Sequence, residues 1–197
     1  MSTITNFLAL ALMTSALATQ AFSKPAQLSF TSDKGKVTFK AVGNPSALVI
    51  NGEGKGPDGK LKITSDKVVE GDLRFDLKTL ETGLGLRDRH MKNKYLEVEK
   101  FPEAKFTPTQ VPWTDPSTAG TQNLKVSPFV GKLTLHGVEM PVEGTMSSTA
   151  ANGKVDCEFD FKIKLTDYKI EIPSFAEITV AETVDVKVKA VAEVTPL

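Results

Sequence analysis

The sequence predicts an all-β fold, an antiparallel barrel of about eight strands with one short helical excursion. Period-two alternation of apolar and polar residues recurs from Lys36 to the C-terminus, which marks strands with one wet and one dry face. The connections between alternating runs are short, with Asn152-Gly153 as the strongest hairpin signal because both residues tolerate the positive φ of a type I′ turn. A repeated βαβ pattern is missing, which argues against a parallel sheet. Closing such strands into an up-and-down barrel removes exposed edges, and about eight of them leave an interior that side chains fill or that holds one small ligand. An open sandwich of the same strands satisfies the same alternation.

Taken in order, the chain starts with MSTITNFLALALMTSALATQAFSKPAQ, an apolar run from Phe7 to Leu12 that relaxes into small residues. This is a signal-peptide profile, too short for a membrane span of about 20 apolar residues. The expected division is a signal peptide over residues 1–23, cleaved in the Ala18–Ser23 region, and one domain over residues 24–197 that is periplasmic or secreted. Its n-region carries no Lys or Arg, and no Cys near the apolar run offers a lipid attachment.

Val37, Phe39 and Ala41 make the first inward set, and Leu48 with Ile50 the next. The Gly-rich stretch Asn51–Lys60 reads as a hairpin connection or rim loop; it lacks the Ser or Thr and the helix that a phosphate loop requires. Val69, Gly71, Leu73, Phe75 and Leu77 form an inward strand face. From Thr82 to Tyr95 the apolar spacing becomes mixed and suits a helical turn. Pro102, Pro108 and Pro112 fit an edge strand or an irregular entry into one. Asp115 to Gly120 reads as a surface turn. Phe129 to Leu135 is a strand, His136–Glu139 its turn, Met140 to Ser148 the return, Val155 to Leu165 the next strand, and Val184 to Val191 the closing one.

The 197 residues suit one domain, and 24 basic residues balance 24 acidic ones, so overall charge gives no reason to expect a nucleic acid or an anionic surface as partner. Cys157 is the lone cysteine; it alternates inward with Phe159 and Phe161, so it behaves as a small hydrophobe and an internal disulfide is excluded. Two histidines cannot by themselves make a metal site. GxSxG, HExxH, CxxC and Rossmann glycine patterns do not occur, and Glu158 and Asp160 lie on the wet strand face.

Three segments carry a resemblance: LKTLETGLGLRDRHMKNKYLEVEKFPEAKFTPTQV, VGKLTLHGVEMPV and, more faintly, GKVTFKAVGNPSALVINGEGKG. Thr82, Arg87-Asp88, His90, Phe101-Pro102 and Phe106 follow in the order and spacing of the YceI-like family, which this chain resembles. Gly35-Lys36 stand where many members have His-Ser, and Tyr95-Leu96 where members tend to have adjacent phenylalanines. The resemblance implies a lipocalin-like barrel whose apolar tunnel holds a polyisoprenoid, an isoprenoid quinone or a similar lipid, without cofactor.

On that view the tunnel residues are Phe39, Ile50, Leu73, Phe75, Phe106, Leu133, Leu135, Phe159, Phe161, Ile163, Val186 and Val188. The same alternation would serve an ordinary packed core. Arg87, Asp88, Arg89 and His90 form either a head-group contact at the barrel mouth or a fastening for the helical excursion. His136, in its turn, is expected to bond local backbone. The expected partner is a long-chain isoprenoid or other apolar lipid, with neither nucleic acid nor a membrane span after processing, and a homodimer is compatible. The alternatives are an enzyme using His90 or His136 as general base, and a structural partner of membrane redox proteins.

Overall fold

A computed structural model describes residues 25–44, 48–63, 69–112, 121–175 and 178–197. The expected signal peptide (residues 1–23) and the turn at 115–120 lie outside the described residues. The alternating segments form β1 (Ala26–Asn44), β2 (Val49–Lys55), β3 (Asp58–Ile63), β4 (Val69–Asp76), β5 (Glu103–Gln110), β6 (Gln122–Leu135), β7 (Val138–Ala151), β8 (Lys154–Lys164), β9 (Ser174–Phe175), β10 (Ile178–Val180) and β11 (Thr183–Pro196). Among the described residues, β11-β8-β7-β6-β5-β4-β3-β1 are neighbours in that order, and β1 pairs back to β11, so eight strands close a ring. The predicted barrel is correct.

Its first strand starts earlier than the alternation suggested. β1 runs from Ala26 and shifts register between Phe30 and Gly35, and that bulge interrupts the period which would have revealed it. The Gly-rich stretch is not a connection: β2 pairs with the second half of β1 and β3 with its first half, so the two are one strand broken at Gly56-Pro57. The glycines there make room instead of turning the chain. A Cβ on Gly52 would stand 2.2 Å from the Phe39 ring, and one on Gly56 would stand 2.4 Å from Gly35 Cα. Asn51-Gly52 thus mimics a hairpin signal while serving close approach.

Among the described residues, the tight hairpin turns are His136-Gly137, with φ of 51° and 74°, and Asn152-Gly153, with 52° and 72°. Positive φ at both central positions gives the twist that lets β6, β7 and β8 follow one another as hairpins. β6 begins at Gln122, before the expected Phe129, because a register shift between Leu124 and Ser127 hides its first residues from a period-two reading. Pro108 lies inside β5, where β4 pairs only as far as Phe106; its missing N–H therefore costs no ladder bond on that side.

The predicted helical excursion is α1 (Gly85–His90), continued by a π-type turn over Met91–Tyr95. It lies between β4 and β5 at one end of the barrel. The outer wall faces water: on β8 and β11, Lys187 pairs with Glu158 and Asp160 at 2.9 and 3.1 Å, Lys189 with Glu158 at 3.2 Å, and Lys162 with Asp185. No helix among the described residues is long and apolar enough to cross a membrane.

Inside, the barrel has two unlike halves. The end holding the N-terminal part of β1 is solid, with Leu28, Phe30, Ile63, Met146, Val155 and Ala192 all buried. The end under α1 is lined by Leu77, Leu133, Leu135, Leu165, Ile170 and Val184, with Phe39, Ile50, Phe75, Phe161, Ile163 and Val186 only partly buried against them. Those six point inward along their strands, so their residual exposure is exposure to an internal space.

Candidate functional site

That space is a cavity of about 700 Å³. All twelve apolar residues expected to line a tunnel do line it. The period-two pattern places them there, since each inward position of β1, β2, β4, β5, β6, β8 and β11 presents a side chain to the same axis.

Phe129 is the floor. It is 1% exposed and takes edge contacts from Phe106, Phe159 and Phe161 at centroid distances of 5.8, 5.3 and 6.1 Å. Opposed glycines make this cluster fit: a Cβ on Gly131 would stand 2.3 Å from Phe106, and one on Gly144 would stand 2.9 Å from Phe129. Below the floor lies Cys157, whose thiol is pushed up to about 12, first by burial and then by the charge of Asp156. It is therefore held as the neutral thiol and stays out of the cavity lining.

The mouth is made by the excursion. Leu84, Leu86, Arg87, His90, Met91 and Tyr95 line the cavity there. Arg87 and Asp88 do not pair with each other; both close on Thr82. The Thr82 N–H donates to Asp88 Oδ1 at 2.8 Å and its hydroxyl donates to the same oxygen, while Arg87 Nε donates to the Thr82 hydroxyl at 2.7 Å and its terminal nitrogen to the Thr82 carbonyl at 2.9 Å. This knot ties α1 back to the segment that leads into it, which is the geometry of a fastening. Arg87 combines it with a place in the cavity lining, and His90 also faces the cavity. Arg89 is exposed, and neither it nor Asp88 lines the cavity.

His136 does not bond local backbone. Its Nδ1 lies 3.1 Å from the Tyr168 carbonyl and its Nε2 lies 2.8 Å from Glu97, with Phe101 against the ring at 4.7 Å. It pins the chain after the excursion to the β6–β7 turn and to the 3-10 turn Leu165–Tyr168. Long-range partners of this kind carry no local signal in the sequence. Reading inward alternation alone also missed Phe129 as the floor, because neighbouring Val130 and Val126 are apolar yet exposed and blur the period. Leu80 and Leu96 escape it for a different reason, since they lie in turns where no period applies, and Leu77, read as inward on a strand, begins a 3-10 turn. Among the described residues there is no cluster suited to hold a metal ion.

Residues 21–192 match the family model described as YceI-like domain. A UPF0312 protein of Pseudomonas savastanoi pv. phaseolicola is 38% identical over 96 residues, 47% of this chain and 46% of that protein. A UPF0312 protein of Photorhabdus laumondii is 30% identical over 123 residues, 58% and 59% of the two chains. The chain thus spans about half the length of the curated relatives it matches. Among solved structures, a polyisoprenoid binding domain from Saccharophagus degradans superposes with a TM-score of 0.67 at 16% identity, over 84% of this chain and 97% of that one. BcnA of Burkholderia cenocepacia gives 0.62 at 15%, over 82% and 98%. At these identities the likeness establishes the fold.

Proposed function

The chain belongs to the YceI-like domain family, and from that premise we propose that it is an exported, non-catalytic carrier holding one long apolar chain, such as a polyisoprenoid or an isoprenoid quinone, inside its barrel. The observation that carries this reading is the cavity of about 700 Å³, whose polar side chains among the described residues are Thr82, Arg87, His90, Tyr95 and Ser174. A volume of that size lies within the range of small-molecule sites, roughly 300–1,000 Å³. An apolar chain gains about 0.8 kcal/mol for each methylene it buries. Its tail would lie toward Phe129 and its head toward Arg87 and His90. The relative from Saccharophagus degradans is described as binding polyisoprenoid, which agrees with this reading.

The catalytic alternative has less behind it. Both ring nitrogens of His136 are engaged by Tyr168 and Glu97, and the ring is not part of the cavity lining. His90 faces the cavity but has no carboxylate beside it among the described hydrogen bonds and ion pairs, so nothing orients it as a base. Export rests on the apolar run at Phe7–Leu12.

Mass spectrometry of the organic extract from natively purified protein should recover one dominant long-chain lipid in near-stoichiometric amount. Repeated extracts without lipid, together with no uptake of added polyprenol, would overturn the proposal.

A further inference from the structure

The overall charge of the chain is zero, with 24 basic and 24 acidic residues, yet the cap over the cavity is not neutral. Residues 85–95 carry Arg87, Arg89, Lys92 and Lys94 against the single carboxylate of Asp88. Extending the count back to Glu81 still leaves four cations against two carboxylates. Three of the carboxylates nearby are already engaged: Asp88 is bound to Thr82, Glu97 to His136, and Glu99 to Lys78 at 3.3 Å, and Glu81 is paired with none of these cations among the described residues. Arg89, Lys92 and Lys94 form no ion pair among the described residues, whereas Lys162, Lys187 and Lys189 of the β8–β11 wall are paired across strands.

The same cap exposes apolar side chains. Leu84 is 58% and Leu86 63% exposed, and both also line the cavity, so they stand on the rim of its mouth. Large exposed aliphatic side chains bordered by cations form the pattern of an interfacial anchor. The apolar groups sink toward the acyl boundary, while the cations stay among anionic head groups. In water more than half of each leucine stays uncovered.

We infer that the Leu84–Tyr95 cap is the face by which the protein docks, mouth first, on an anionic phospholipid bilayer. In that pose a long apolar chain passes from the bilayer into the cavity without its tail crossing water. The docking extends the carrier reading but does not depend on it, because a bilayer can be bound whether or not the cavity is filled.

Co-sedimentation of the full chain with vesicles tests the inference. One set is phosphatidylcholine alone, the other phosphatidylcholine mixed with phosphatidylglycerol. The wild type is expected to sediment with the mixed vesicles, far less with phosphatidylcholine, and to be released by added salt, since the attraction is screened. The variant Arg89→Gln/Lys92→Gln/Lys94→Gln should lose binding on the order of 100-fold, from roughly 1 kcal/mol for each cation near an anionic surface. None of those three residues lines the cavity, so this variant should still take up the neutral fluorophore pyrene. Leu84→Ser/Leu86→Ser should also weaken sedimentation with the mixed vesicles. Every variant keeps the same N-terminal segment, so its own affinity for lipid cancels in the comparison.

Equal binding to both vesicle types, or a triple-charge variant that sediments like the wild type, would overturn the inference. So would the absence of vesicle binding in a protein that captures an acidic protein through the same cations. If vesicle docking holds but neither pyrene uptake nor extracted lipid is found, the carrier reading fails and the docking face stands.

Discussion

Among the described residues, Cys157 and Tyr168 are the side chains whose acidity the fold changes most. Burial holds the Cys157 thiol up to about 12 from an ordinary value of 9.0, and burial with the charge of Asp167 holds the Tyr168 phenol up to about 12 from 10.0. In both cases the unfolded chain releases the proton first. The stability that each group contributes is therefore complete below its unfolded value and is lost as pH rises toward about 12. Denaturation midpoints measured between about pH 8 and about pH 11 should fall steadily. Cys157→Ala should remove the part of that fall beginning near 9.0, and Tyr168→Phe the part beginning near 10.0. A slope unchanged in both variants would show that neither group is held protonated by the fold. The same burial predicts that Cys157 reacts with a disulfide reagent only when the barrel opens.

At the scale of the element, the start of the cap is held by one residue of the segment that leads into it. Thr82 presents its N–H, hydroxyl and carbonyl to Arg87 and Asp88, so the first turn of α1 is tied to its own approach. A hydrogen bond to a charged group contributes about 1.5–3 kcal/mol. Thr82→Val should therefore speed amide exchange over Gly85–Tyr95 by about ten- to a hundredfold, with protection in β7 and β8 unchanged. Asp88→Asn should act in the same direction, because the amide accepts the two Thr82 donors less well than a carboxylate. Uniform acceleration across barrel and cap would mean that the cap does not open as a separate unit.

At the scale of the molecule, the decisive feature is that the interior is filled at one end and open at the other. Val186 and Ala192 lie six residues apart on the same inward face of β11, the first lining the cavity and the second 0% exposed in the solid end. Trp at each position asks the same question of two environments. Val186→Trp should fold with little loss and take up less polyprenol, because its ring occupies space meant for ligand. Ala192→Trp should cost roughly 1–3 kcal/mol or more, since an already packed core must distort to admit it. Equal destabilisation of the two would show that the open half is not open in solution.

Much of this was legible in the residues. Strand class, the Asn152-Gly153 turn, the inward set from Phe39 to Val188 and the helical excursion follow from local periodicity and turn chemistry, which depend on neighbours two to four positions away. Tertiary structure alone decided three other things. It turned the Gly-rich stretch from a turn into a strand, because Gly52 and Gly56 answer to Phe39 and Gly35 across the sheet. It gave His136 partners 32 and 39 residues distant along the chain. Above all, it left a cavity above Phe129 and a plug beneath it. Alternation states only which face is apolar; whether side chains from opposite walls meet depends on their summed volumes around a closed ring, and those become defined when β1 pairs with β11.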